Sequence, residues 1–219
     1  MTDFGSDGRR ELPLFPLGSV ALPGVGLPLH VFEPRYRALV MTSLSSDRLF
    51  GSVLIARGSE IGGGDQRNDF GTLVRIIEAQ EDADGRWLLT GVGIERLRVY
   101  EWLNDDPFPR AVVESSPDTP NGSDTAPLVE LARSLCVEVR RRTGSGADLQ
   151  TIVDLLDPDP SVASFQLLAL STLGPSDQYT GLCAPTTAGR LEFLCQSLRD
   201  QLADLDAIET LHRRESSGE

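Results

Sequence analysis

The sequence predicts an α+β chain: a small β-barrel with one inserted helix, followed by a C-terminal α-helical bundle. Three observations carry this prediction. Leu12 to Val40 packs apolar residues, prolines and glycines together and then switches to a helical pattern. Short apolar or alternating runs with Gly/Pro corners continue to about Ser115. Beyond Pro127 the apolar spacing changes to a helical period.

In the opening stretch, Pro13, Pro16, Pro23 and Pro28 each fix their own φ and push the preceding residue towards extended geometry. Gly18, Gly24 and Gly26 supply turns. A helix then begins at Glu33-Pro34, since proline at a first helical position sacrifices no intrahelical bond. Tyr36, Leu39, Val40 and Leu44 share its apolar face. Leu49 to Ala56 reads as a buried strand, and Arg57 to Asp69 as a loop. Gly71 to Gln80 and Arg86 to Val92 flank Glu81–Gly85, which has hairpin-loop chemistry. Leu97 and Val99 alternate with Arg96 and Arg98, and Phe108 to Glu114 supplies a further strand.

Ser116 to Pro127 is a linker by composition. Leu128, Leu131, Leu135 and Val139 follow helical spacing up to Thr143-Gly144. Leu149, Ile152, Val153 and Leu156 suggest a short second helix. Ser161 is placed to cap a third, carrying Phe165 and Leu168, and Thr187 to cap a last one with a stripe from Leu191 to Leu205. The expected organisation is a tail at 1–11, the barrel at 12–115, the linker at 116–127, the bundle at 128–213 and a tail at 214–219.

Composition narrows the function. The net charge of −13 argues against nucleic acid, whose phosphates draw on clustered positive charge. Arg140-Arg141-Arg142 is one short basic run, read as a solvated helix end. The chain contains no lysine, which removes a Walker A loop, a Ser–Lys dyad and Schiff-base chemistry from it. Cys136, Cys183 and Cys195 form no CxxC pair, and neither acidic cluster has the ligand spacing of an EF-hand. No metal site, cofactor or catalytic residue is expected. His30 reads as a packed or hydrogen-bonded structural residue of an apolar strand, and His212 lies near the C-terminus. Without a signal segment or a long apolar run, a cytoplasmic protein without a membrane partner is expected.

Two polar clusters stand out. Arg35, Tyr36 and Arg37 follow the strand-to-helix corner, where they either line a rim that grips a peptide or anchor the corner. Tyr100 and Trp102 share a face with Arg96 and Arg98, a combination that suits a protein-binding ridge or packing beneath other elements.

LPLFPLG, the following PG, and LPLHVFEPRYRALV resemble the opening of the Lon protease N-terminal (substrate-binding) domain family. FGSVLI, FGTLVRI, DGRWLLTGVG and ERLRV resemble its later strands, and the likeness weakens after about Glu114. The resemblance implies a PUA-like barrel and a free-standing bacterial member. It implies a non-enzymatic module that binds unfolded protein or peptide segments, an adaptor for a separate protease or chaperone. A small-molecule or RNA ligand on the barrel and a Cys-dependent hydrolase are the alternative readings.

Overall fold

The prolines and glycines of the opening do produce strands and corners. In the computed structural model, which describes residues 4, 7–57, 66–120, 122, 124–144 and 153–217 (the last five by backbone alone), β1 spans Arg9–Leu17 and β2 spans Gly26–Val31. Helix α1 spans Pro34–Leu44, with proline in its first turn and Glu33 at its N-cap. It buries Tyr36, Leu39 and Val40, three of the four residues expected on its apolar face. The remaining strands are β3 (Leu49–Arg57), β4 (Gln66–Glu81), β5 (Trp87–Trp102) and β6 (Arg110–Ser115).

The strands form one mixed sheet in the order β2-β5-β4-β3-β1-β6, and β6 also pairs with β5. Five strands are therefore hydrogen-bonded in a closed circuit, while β2 extends beyond it on β5. β1 and β3 run parallel, joined through β2 and α1, and the other pairs are antiparallel. β4 and β5 are each 16 residues long, longer than the short strands the turn signals suggested. Bulges between Leu73 and Val74 and between Ile76 and Glu78 re-register this pair, as a strongly curved ladder requires. The sequence placed a loop from Arg57 to Asp69; residues 66–69 belong to β4, and 58–65 lie outside the described residues.

Two apolar clusters follow from this winding. Leu12, Leu14, Val53, Leu73, Leu97 and Val113 pack together within the strands of the circuit. Phe15, Tyr36, Leu39, Phe50, Ile76 and Leu89 pack the buried face of α1 against strand residues.

The C-terminal helices are α2 (Ala126–Arg142), α3 (Pro160–Leu170), α4 (Pro175–Cys183) and α5 (Thr187–Ser217). Contacts group the chain into two units, 1–117 with 178–183, and 118–177 with 184–219. Most of α4 thus belongs with the strands, and the sequence reading had no helix there. α2 buries Ala132, Cys136 and Val139, so the predicted leucine stripe at Leu128, Leu131 and Leu135 lies at its half-buried flank.

The caps also differ from expectation. Asp159, not Ser161, caps α3, its carboxylate accepting from the Ser161 N–H at 2.9 Å. The Thr186 hydroxyl accepts from Gly189 N–H at 3.0 Å, and Thr187 instead donates to Asp118 at 2.7 Å. The predicted helix around Leu149 and Ile152 falls on residues outside those described, except that Val153 is buried and Leu156 half-buried.

The basic run ends α2, and each of its arginines has a partner within its own unit. Arg140 donates to Leu170 O at 3.0 Å, Arg141 pairs with Glu138 at 2.7 Å, and Arg142 pairs with Asp206 at 2.7 Å. Among the described residues no helix is long and apolar enough to cross a membrane.

Candidate functional site

β2 is the one strand of the sheet with a single strand partner among the described residues, β5. Its alternation directs Leu27, Leu29 and Val31 towards the core and leaves Pro28 and His30 exposed. His30 is therefore not the packed residue its apolar neighbours suggested. Its ring meets Phe32 edge-on, with centroids 6.1 Å apart, and Phe32 is 48% exposed.

Two grooves share Pro28, Leu29 and His30. One, of 320 Å³, lies between β2 and the β1–α1 region, with Phe15, Leu17, Phe32 and Tyr36 in its wall. The other, of 610 Å³, continues over β5 and β4, past Leu88 and Glu78. The Phe15 and Tyr36 rings stack at 4.2 Å, so the first groove has a rigid aromatic wall. Arg35 lies 4.4 Å from the centroid of Tyr36, and its Nε donates to Glu33 at 3.1 Å. This pairing fixes the corner and sets a charged rim beside the aromatic wall.

Arg37 is not part of that rim. A Cβ at Gly85 would fall 2.1 Å from an Arg37 guanidinium nitrogen, so Arg37 lies over the β4–β5 hairpin. Gly85 has φ +76°, which also suits glycine in this turn.

The second predicted cluster divides as well. Arg96 is buried: its Nε donates to Ser116 O at 3.0 Å and its Nη1 to Leu182 O at 2.9 Å. Arg98 is exposed, with its guanidinium 5.8 Å from Phe70. Strand register places Phe70, Arg98, Glu114 and Arg9 opposite one another in turn across four strands. Arg9 lies 3.3 Å over Tyr100, itself 56% exposed. Trp102 is half-buried, donates to Asp69 at 3.3 Å, and has Arg67 at 5.0 Å. Arg98, Tyr100 and Trp102 thus form a cation–aromatic ridge, separate from the Arg35–Tyr36 corner.

Sequence reasoning missed Phe32 and Leu88 as exposed apolar residues. The signal was the strict alternation of LPLHVF, which cannot bury both Val31 and Phe32 on one face of a strand.

The thiols are poor nucleophiles. Burial pushes Cys136 up to about 12. Burial likewise raises Cys183 and Cys195 above the ordinary thiol value. A thiolate is the reactive form, so all three sulfurs are held in the inert state at neutral pH. Among the described residues no three His, Cys, Asp or Glu side chains converge as metal ligands.

Fold and groove define an α+β domain built around a strand circuit with one outlying strand. The chain belongs to the family of the ATP-dependent protease La (LON) substrate-binding domain, whose model matches residues 11–200. It is similar to a Lon N-terminal domain protein from Xanthomonas campestris, with TM-score 0.62 and 26% identity, covering 84% of this chain and 96% of that one. The N-terminal domain of a Mycobacterium avium complex Lon protease shares the fold, with TM-score 0.61 and 18% identity, over 87% of this chain and 99% of that one. A LON peptidase N-terminal domain and RING finger protein of Schizosaccharomyces pombe is 29% identical over 121 residues, 50% of this chain and 25% of the relative. A Lon protease of Syntrophus aciditrophicus is 30% identical over 108 residues, 47% of this chain and 14% of the relative. The chain thus spans a quarter or less of the length of these curated relatives.

Proposed function

We propose that the chain is a non-enzymatic protein-binding module that holds extended, unfolded segments along β2. The carrying observation is the single-sided pairing of β2 beside an aromatic-walled groove. An extended segment can pair with main-chain groups of such an edge while alternate side chains enter the groove. Pro28 lacks an N–H, which blunts the edge against unwanted pairing. Side-chain burial against Phe32, Tyr36 and Leu29 therefore carries much of the affinity, and selects apolar residues. Membership of the Lon substrate-binding family supports this reading. The inert thiols favour a binding role over a Cys-dependent hydrolase.

In this reading the closed circuit is a PUA-like barrel. The protein acts in the cytoplasm as an adaptor, delivering bound segments to a separate protease or chaperone. The internally paired Arg140–Arg142 run supports a protein ligand over RNA.

The test uses reduced, carboxymethylated α-lactalbumin as the unfolded probe and a photocrosslinking residue in place of Phe32 or Tyr100. Crosslinking from position 32, lost when Leu88 is changed to Asp in the same protein, is the expected result. Crosslinking confined to position 100 would move the site to the cation–aromatic ridge. Capture of RNA that declines steeply with salt, with none of the unfolded probe, would overturn the proposal.

A further inference from the structure

The phase of the β2–β5 ladder fixes which backbone groups of β2 face its open edge. Gly93 N–H donates to Val25 O at 3.0 Å, and the register runs on through Leu27↔Gly91, Leu29↔Leu89 and Val31↔Trp87. Bonded and unbonded positions alternate along an antiparallel ladder, so Leu27, Leu29 and Val31 direct their N–H and C=O groups to β5. Those of Gly26, Pro28 and His30 point to the open edge. Pro28, which has no N–H to leave unpaired, stands at an edge-facing position. A Cβ built on Gly26 meets nothing within 4 Å, so the edge is open there.

A segment added to this edge alternates its side chains between the two faces of the sheet. Its residues opposite Leu27, Leu29 and Val31 point to the face of Phe15, Leu17 and Tyr36, the aromatic groove. Its residues opposite Gly26, Pro28 and His30 point to the outer face. There they lie over Pro28 and His30 and towards Leu88, the exposed cross-strand neighbour of His30. A sheet with one solvated face suits an alternating apolar–polar strand. The β2 edge has an apolar wall on each face, which suits apolar residues at successive positions.

The charges of the walls narrow the choice further. Among the described residues neither wall contains an arginine, and the chain has no lysine. The carboxylates there are Glu33, already paired with Arg35 at 3.1 Å, and Glu78. An acidic residue inside the bound run would lose water beside like charge, with no cation in the wall to receive it.

We propose that the β2 edge selects an uninterrupted apolar run without acidic members, its side chains divided between the two grooves. This rule rests on the β2 reading above and adds a sequence pattern to it.

The experiment titrates the isotope-labelled full chain with capped peptide isomers. Lys-Lys-Leu-Val-Leu-Val-Lys-Lys is set against Leu-Lys-Val-Lys-Leu-Lys-Val-Lys, which has the same composition with its apolar residues on one face. Amide shifts at Gly26 and His30, and about tenfold tighter binding of the uninterrupted run, are expected. Leu88→Ser, with an unchanged melting temperature, should cut that ratio to about twofold, because it removes apolar surface from the outer groove. Lys-Gln-Leu-Glu-Leu-Val-Lys-Lys should bind at least about fivefold more weakly than Lys-Glu-Leu-Gln-Leu-Val-Lys-Lys, since only the former places its carboxylate within the run. Equal binding of either pair of isomers at those amides, or a ratio that Leu88→Ser leaves intact, would overturn the rule while the β2 reading stands. No shift at Gly26 and His30 with any peptide would overturn both.

Discussion

Arg190 of α5 and Asp118 form a two-point ion pair, Nη2 to Oδ1 at 2.6 Å and Nη1 to Oδ2 at 3.2 Å. The Arg190 side chain has no solvent exposure, lies 3.5 Å from the Phe165 ring centroid, and also donates to Ser164 at 2.6 Å. Ser161 and Thr187 donate to the same carboxylate. One aspartate therefore ties the segment entering the helical unit to α3 and α5. Asp118→Ala leaves a buried guanidinium with its charge uncompensated and should cost about 3–5 kcal/mol. Asp118→Leu combined with Arg190→Met should be less destabilising than Asp118→Leu alone. Urea unfolding of the three proteins measures this; a single variant as stable as the parent would refute it.

Arg96 and Arg98 differ by two positions and by almost everything else. Arg96→Ala strands the Ser116 and Leu182 carbonyls and should lower stability by about 3 kcal/mol. Arg98→Ala should stay within about 0.5 kcal/mol, as exposed substitutions usually do. Denaturant midpoints of the two variants test the contrast, and equal losses would contradict it.

That contrast marks the limit of what the sequence discloses. The alternation around Leu97 and Val99 correctly puts Leu97 and Val99 in the core and gives Arg96 and Arg98 the opposite face. Whether that face meets solvent depends on α4, whose Leu182 is 86 positions away and whose short PSDQYTGLC run has no helical stripe. The opening stretch is legible because proline and glycine act locally, and α1 starts where Pro34 requires. The β2 groove is half legible: alternation shows which residues leave the core. The free edge depends on the closure of β6 onto β5, a long-range pairing that local pattern does not encode. Asp159 displaced Ser161 as the cap because either residue is a good N-cap, and position alone decides.

Gly93 and Gly85 should respond differently to alanine. A Cβ at Gly93 would sit 2.1 Å from the Leu22 carbonyl oxygen, where the loop after β1 crosses β5. Backbone must move, so Gly93→Ala should cost about 3 kcal/mol. At Gly85 the obstacle is the movable tip of Arg37, leaving mainly the positive φ, about 1–2 kcal/mol. Thermal unfolding should show the larger loss at Gly93. The reverse order would mean that the loop approaches β5 less closely.

Cys136 makes stability depend on alkaline pH. The thiol ionises near 9.0 in an unexposed-to-burial reference chain and near 12 in the folded protein. Between these values the folded state holds a proton that the unfolded state has lost. Stability should thus be unaffected by this group below about pH 9, then fall by up to about 1.4 kcal/mol per pH unit towards pH 12. Tyr179, also raised mainly by burial, adds a decline of the same sign at higher pH. Cys136→Ala should reduce the first decline, leaving the smaller parts contributed by Cys183 and Cys195, which burial also raises, and retain the second. Unfolding free energies measured from pH 8 to about 11 in parent and variant isolate the Cys136 contribution, because only that thiol is deleted. Parallel curves would show that the folded protein does not protect the Cys136 proton, and iodoacetamide would then label that residue without unfolding.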